Sequence, residues 1–324
     1  MARASSSESV QTSRNCVIAW GQCEAYSGEC IYHPSTHTIA TVLRIACFLR
    51  SLILAHRHNN RAKWLILSLC LLPLSTFSQR VQRNPAESIP VLVYHRFDPN
   101  QSRPTTVKTS TFEGQLVWLA DHYYRVVPLS AVTDMLRGIG PDIQFPAVAI
   151  TADDGHRSVY TEMFPVIRRY RIPVTLFIYP SAISNAAYAL TWAQLREMKA
   201  SGLVDIQSHT YWHPNFNQEK KRRTPEDYQQ FVAYQLVHSR VVLEQRLALK
   251  VDMLAWPYGV FDPELEEAAV KAGYICAFAY TGGPAHQGSD LFAIPRIPVS
   301  DQDQGVRFGQ LLENSRRPTV RSSE

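Results

Sequence analysis

The chain has 324 residues, 45% of them hydrophobic and 19% charged, with a formal net charge of +5. This is ordinary globular chemistry, with room for one large core or two small ones. The basic excess lies mostly in the first 80 residues and the last ten, and no basic stripe alternates with aromatics, so nucleic acid is not an expected partner.

Cys16, Cys23, Cys30, Cys47 and Cys70 precede residue 80, and only Cys276 follows it. No CxxC pair occurs, which argues against a thiolate zinc site. Cys276 lies in an apolar run and is expected to be a buried, inert thiol. Residues 1–55 read as an N-terminal extension, either disordered or the product of a mis-annotated, over-extended start. Residues 56–78 join a basic stretch (Arg57, Arg61, Lys63) to the apolar run WLILSLCLLPL, the pattern of a secretory signal. The run is shorter than the ~20 residues a spanning helix needs. An uncleaved membrane anchor over 56–78 is the alternative, and either implies an exported protein of the periplasm, envelope or exterior. Residues 79–88 read as a linker.

From residue 89 on, short β-rich runs alternate with helical patterns. Strands are expected at 89–94, 125–129, 147–152, 173–179, 204–208, 253–256, 277–280 and 292–294. Helices are expected at 112–123, 130–136 with Ser130 as cap, 158–170, 191–200, 225–247 and 263–272. This alternation predicts parallel strands with crossover helices. A distorted α/β barrel of about seven parallel strands is the first choice, and a doubly wound sheet the second. The domain spans 89–300, and residues 301–324 read as a polar tail. In either fold chemistry gathers at the C-terminal ends of the strands.

Three clusters sit at such ends. The first, TADDG, holds Asp153 and Asp154; adjacent carboxylates on an extended chain point different ways, so one can bind a metal while the other faces substrate. The second, SHTYWHP, holds His209 and His213, four apart, a spacing that lets both grip one ion from one face of a helical turn. Imidazole with carboxylate suits Zn²⁺ and similar ions, and three protein ligands leave positions open for catalysis. The third, AWPYG, is a rigid turn that can aim the Tyr258 N–H at an oxyanion, while Trp256 and Tyr258 offer flat faces for a sugar.

Together these clusters resemble the polysaccharide deacetylase family (the NodB homology domain, carbohydrate esterase family 4). The family's Thr-Phe-Asp-Asp-Gly stands here with Ala152 for Phe, its His-Ser/Thr-x-x-His is matched by His209 to His213, and its Arg-x-Pro-Tyr-Gly has Ala255 at the Arg place. The runs VLVYHRF and LFAIPRIP look closest to the branch that deacetylates poly-β-1,6-N-acetylglucosamine.

The resemblance implies a site. Asp154, His209 and His213 would hold one divalent metal, Zn²⁺ by expectation with Co²⁺ or Ni²⁺ as alternatives. Asp153 would be the general base, and Arg296 would replace the missing third-motif Arg by pairing with it. The family's Leu-x-His acid has no counterpart, since no His follows His286; His95 is the natural substitute, ahead of His156 and His286. The expected partner is a polysaccharide. Two other readings stay open: a deacetylase or esterase acting on xylan, chitin or peptidoglycan, and a non-catalytic carbohydrate-binding protein.

Overall fold

A computed structural model describes residues 88–316. The N-terminal extension, the signal or anchor at 56–78 and the linker up to residue 87 lie outside the described residues. Among the described residues, no helix is long and apolar enough to cross a membrane.

The strands are β1 (Val91–Tyr94), β2 (Arg96–Asp98), β3 (Thr106–Lys108), β4 (Arg125–Val126), β5 (Ala147–Asp153), β6 (Val174–Ile178), β7 (Val204–Ser208), β8 (Met253–Ala255), β9 (Cys276–Phe278) and β10 (Ile297–Pro298). The α-helices are α1 (Thr109–Asp121), α2 (Leu129–Arg137), α3 (Phe164–Tyr170), α4 (Trp192–Ala200), α5 (Phe216–Lys220), α6 (Pro225–Leu247), α7 (Pro263–Lys271) and α8 (Gly305–Arg316). Seven parallel strands, in the order β10-β1-β5-β6-β7-β8-β9, curl into a half-barrel with helices around it, as expected. β4 pairs with the start of β5, and β2 pairs with β3 apart from this sheet. The segment after β9 links the two end strands: Ile294 bridges to Phe278, and Ile297 pairs with Leu92.

The period of two along each strand sorts side chains between two packing layers. Leu92, Val148, Ile150, Leu176, Ile206 and Leu254 face one way, into the larger cluster shared with the helices. Val91, Ala147, Ala149, Phe177, Met253 and Ala255 face the other, with Cys276 and Ile294. Asp153 shares its parity with Ala147 and Ala149, so β5 carries its last carboxylate into the second layer at the strand's C-terminal end. Cys276 is fully buried, and burial pushes its thiol well above the ordinary range.

Several local expectations need correction. The polar tail at 301–324 is not a tail up to residue 316. Phe308 and Leu312, one helical turn apart, are fully buried on α8, and the Phe308 ring meets Trp118 of α1 edge-on at 5.5 Å. Helix α2 starts at Leu129, behind Pro128, without a Ser130 cap; the Ser130 carbonyl instead accepts from Thr133 Oγ1. The first turn after Ser158 is a π-helix, Val159–Met163, before α3 begins. No strand forms at 292–294: there is an isolated bridge at Ile294, and the strand is β10. Thr191 caps α4, with Gln194 completing a capping box.

Candidate active site

Three strand ends meet at one mouth. β5 ends on Asp153, and the chain then turns through Asp154 (φ 71°) and Gly155 (φ 70°). The left-handed backbone at Gly155 favours glycine, since other residues adopt that conformation only under strain. β7 hands over to His209, whose N–H bonds the Ile178 carbonyl at 2.8 Å. His209 Nδ1 lies 2.8 Å from the Ala255 carbonyl, at the end of β8. A carbonyl can only accept, so Nδ1 carries the proton and Nε2 keeps its lone pair.

His213 does not reach His209 along a helical turn. Thr210 (φ 65°) and His213 (φ 66°) are both left-handed, and the His213 N–H bonds Thr210 Oγ1 at 3.2 Å. The loop therefore folds back and brings the two imidazoles to 4.6 Å between centroids. Asp154, Thr210, His213 and Tyr258 are four of the eight described non-glycine residues with positive φ. Such strain is held only where surrounding structure over-determines it, and here it concentrates around one mouth.

Asp154 Oδ1 lies 3.7 Å from His209 Nε2 and 3.6 Å from His213 Nε2. One ligand atom from each residue falls within 4.8 Å of the others. Tetrahedral Zn²⁺, with bonds of about 2.0–2.2 Å, separates its ligand atoms by about 3.3–3.6 Å. The donor set and its spacing thus fit a divalent ion. Burial, helped by the neighbouring His209, lowers the His213 pKa to about 4, so its imidazole is neutral and open to a metal at neutral pH.

Asp153 stands beside this cluster, with Oδ2 3.8 Å from His209 Nε2. Its carboxylate is clasped by Arg296 through two bonds, Nη1 to Oδ1 and Nη2 to Oδ2, both 2.7 Å. Arg296 is fully buried and also donates to the Ala279 carbonyl and Thr151 Oγ1. Its guanidinium lies 5.2 Å from the Phe177 ring centroid. Burial alone would raise the Asp153 pKa; Arg296, then His209, outweigh it and hold the carboxyl at about 2, against 3.8.

A depressed carboxyl pKa stabilises the fold above about pH 4, and that contribution fades as pH falls toward 2. Its size is on the order of 2 kcal/mol. Denaturant titrations from pH 5 to pH 2 should show this loss in the wild type and a smaller one in Arg296→Met. Equal slopes in the two proteins would contradict the account.

His95 follows β1, and its ring meets Tyr280 at 5.9 Å. Burial lowers its pKa, while the fields of Asp153 and Asp154 oppose that shift. Tyr258 is 64% exposed, with its ring 4.6 Å from that of His213. A Cβ on Gly259 would meet Tyr280 Cβ at 2.8 Å and Tyr280 N at 3.1 Å, so this turn tolerates only glycine there.

Trp256 does not join the site. It is 1% exposed, its indole N–H donates to the Phe292 carbonyl, and it packs with Leu254 in the larger core. The expectation of a sugar-facing Trp256 is therefore corrected. His156 bonds Ser158 Oγ, and His286 bonds within its own loop. Other aromatics stand beside the cluster. Tyr179 lies 5.4 Å from the His213 ring and bonds Tyr188 through the two hydroxyls at 2.9 Å. Tyr179 and Tyr280 each follow an apolar strand run directly, the same signal that marks the three motifs.

Residues 142–277 match the family described as polysaccharide deacetylase. YxkH of Bacillus subtilis, whose own assignment as a polysaccharide deacetylase is provisional, is 27% identical over 227 residues, covering 70% of this chain and 76% of that protein. The poly-β-1,6-N-acetyl-D-glucosamine N-deacetylase of Escherichia coli K12 is 26% identical over 241 residues; the match covers 64% of this chain and 35% of that enzyme. Among solved structures, IcaB from Ammonifex degensii superposes with a TM-score of 0.62 at 25% identity, covering 71% of this chain and 98% of that one.

Proposed function

Because the chain carries a polysaccharide deacetylase domain of the NodB type, a hydrolase of N-acetyl amide bonds, we propose that it deacetylates poly-β-1,6-N-acetylglucosamine with one divalent ion. The observation that carries this reading is the buried Asp153–Arg296 pair set against the Asp154, His209 and His213 cluster. One carboxylate lies 3.6–3.7 Å from both imidazole Nε2 atoms, and its neighbour is ion-paired with Arg296 beside that cluster, which supports a metal ligand next to a separate base.

Asp154, His209 and His213 would hold the ion, Zn²⁺ by preference with Co²⁺ or Ni²⁺ as alternatives. Bound there, a divalent ion would supply Lewis acidity toward the amide carbonyl and water. Asp153 takes the proton of the attacking water, and Arg296 fixes the orientation of that carboxylate. The Tyr258 N–H donates to the oxyanion. His95 protonates the departing nitrogen, which cannot leave as an amide anion. Tyr258, half-walled by His213, offers its exposed face to the sugar ring. Acetate and a glucosamine residue result. The signal-like segment at 56–78 supports export to where such a polymer lies.

An ester substrate is the second reading. Burial lowers the His95 pKa and so thins the supply of protonated acid, and an ester needs less help with its leaving group. Acetate release should be compared on poly-β-1,6-N-acetylglucosamine, chitin oligomers and acetylated xylan. The proposal expects the fastest release from the β-1,6 polymer. Release from xylan alone would overturn it in favour of the esterase.

A further inference from the structure

A groove of about 540 Å³ lies between the loop after β6 and the long helix α6, apart from the metal cluster. Its volume is within the range that bound small ligands occupy. Its aromatic side is formed by Trp192, Tyr211 and His238. Tyr211 and His238 meet at 4.4 Å between ring centroids, and Tyr234 contacts both, stacked on His238 at 4.8 Å and edge-on to Tyr211 at 5.5 Å. Around these rings stand the polar groups of Asn185, Gln245 and Arg246, all exposed.

The groove is built rather than incidental. Ser184 is held left-handed at φ 64°; its N–H bonds the Leu190 carbonyl, and its Oγ accepts from the Trp192 N–H, both at 3.0 Å. Asn185 donates its amide N–H to the Ser181 carbonyl at 2.9 Å, which leaves the amide oxygen as an acceptor. The Arg246 guanidinium sits 5.7 Å from the Trp192 ring centroid. No carboxylate lines the groove, which disfavours a cation. Flat rings beside amide and guanidinium groups suit a ligand with an apolar face and hydroxyl or acetamido edges, which is the chemistry of an N-acetylated sugar.

The groove is also joined to the catalytic mouth. Tyr211 lies between His209 and His213 in sequence, and its carbonyl accepts from the Ser181 N–H at 3.1 Å. One loop thus supplies both metal-ligand imidazoles and one wall of the groove. We propose that this groove is an accessory saccharide subsite, which grips a segment of the glycan away from the residue being deacetylated. The inference rests on the reading of the chain as a glycan deacetylase. A polymer long enough to reach both places is held more tightly, whereas a short oligomer bound at the mouth gains nothing.

The test uses the full chain carrying Asn185→Ala with Arg246→Ala, both at exposed positions, and separately His238→Ala. KM and kcat are measured on poly-β-1,6-N-acetylglucosamine and on a short oligomer of the same linkage. KM for the polymer should rise roughly three- to tenfold, as for one or two lost hydrogen bonds, with kcat and the short-oligomer values unchanged. A second readout needs no turnover: retardation of the protein in gels containing the polymer should weaken in the same variants. Unchanged polymer KM and unchanged retardation would overturn the subsite while leaving the deacetylase reading intact. If the wild type releases no acetate, the deacetylase reading fails; weaker retardation of the variants would then still support a glycan site in the groove, and equal retardation would overturn it.

Discussion

Asp153→Asn is expected to lower acetate release by about 10²–10⁴-fold, the usual worth of a positioned general base, while bound metal stays near the wild-type level. The carboxylate lies outside the Asp154, His209 and His213 cluster, and in the proposed mechanism it accepts a proton, which an amide cannot do. The same change should also destabilise the fold. Arg296 is fully buried and spends two of its donors on Asp153. An asparagine can accept with one atom only, and its amide N–H₂ would face a guanidinium N–H. Breaking one side of a buried ion pair costs about 3–5 kcal/mol, because the remaining charge stays uncompensated. The assay is therefore run well below the variant's melting temperature, with the fold checked by circular dichroism. Full turnover by a folded variant would remove Asp153 as the base.

The second large effect is on the metal. His209→Ala removes an imidazole that is 2% exposed and locked in one tautomer by the Ala255 carbonyl. Losing an outer-shell partner of a metal ligand typically costs 10–100-fold in affinity, and losing the ligand itself should cost more. Calorimetric titration with Zn²⁺ should show one site per wild-type chain and a loss exceeding about 100-fold in the variant. His286→Ala, which changes a histidine bonded only within its own loop, should titrate like the wild type. Equal affinity in His209→Ala would refute its place among the ligands.

Much of this site was legible because the chemistry stands at strand ends and strands have a period of two. Asp153 and His209 each continue the inward parity of an alternating strand, after Ala147-Ala149-Thr151 and after Asp205-Gln207. The same rule, applied one strand further on, would have corrected the reading of Trp256. Met253 and Ala255 face the inner layer, so Leu254 and Trp256 face the helices. The aromatics beside the mouth instead keep the inward parity past other strands, Tyr179 directly after β6 and Tyr280 two residues after β9.

What was not legible is backbone in the left-handed region at residues other than glycine. Thr210 and His213 carry no composition signal for it, so the four-residue spacing suggested a helical turn where the chain folds back. Helix α8 was hidden for another reason. Its buried face rests on Phe308 and Leu312 within a polar stretch, and its partner, Trp118, lies far away in sequence. Local composition shows how polar a segment is, but not that two apolar positions one turn apart have found a distant partner. The Arg296–Asp153 bond likewise spans 143 residues, and it was reached only through the resemblance to a family whose own arginine is absent here.

The central claim is that hydrolysis depends on a divalent ion at Asp154, His209 and His213. The most direct measurement is acetate release from poly-β-1,6-N-acetylglucosamine by the same protein sample before chelation, after chelation, and after stepwise return of Zn²⁺, Co²⁺ or Ni²⁺. The account predicts that release disappears with the metal and returns as one equivalent per chain is restored. Release that persists at the wild-type rate in protein stripped of metal would contradict it.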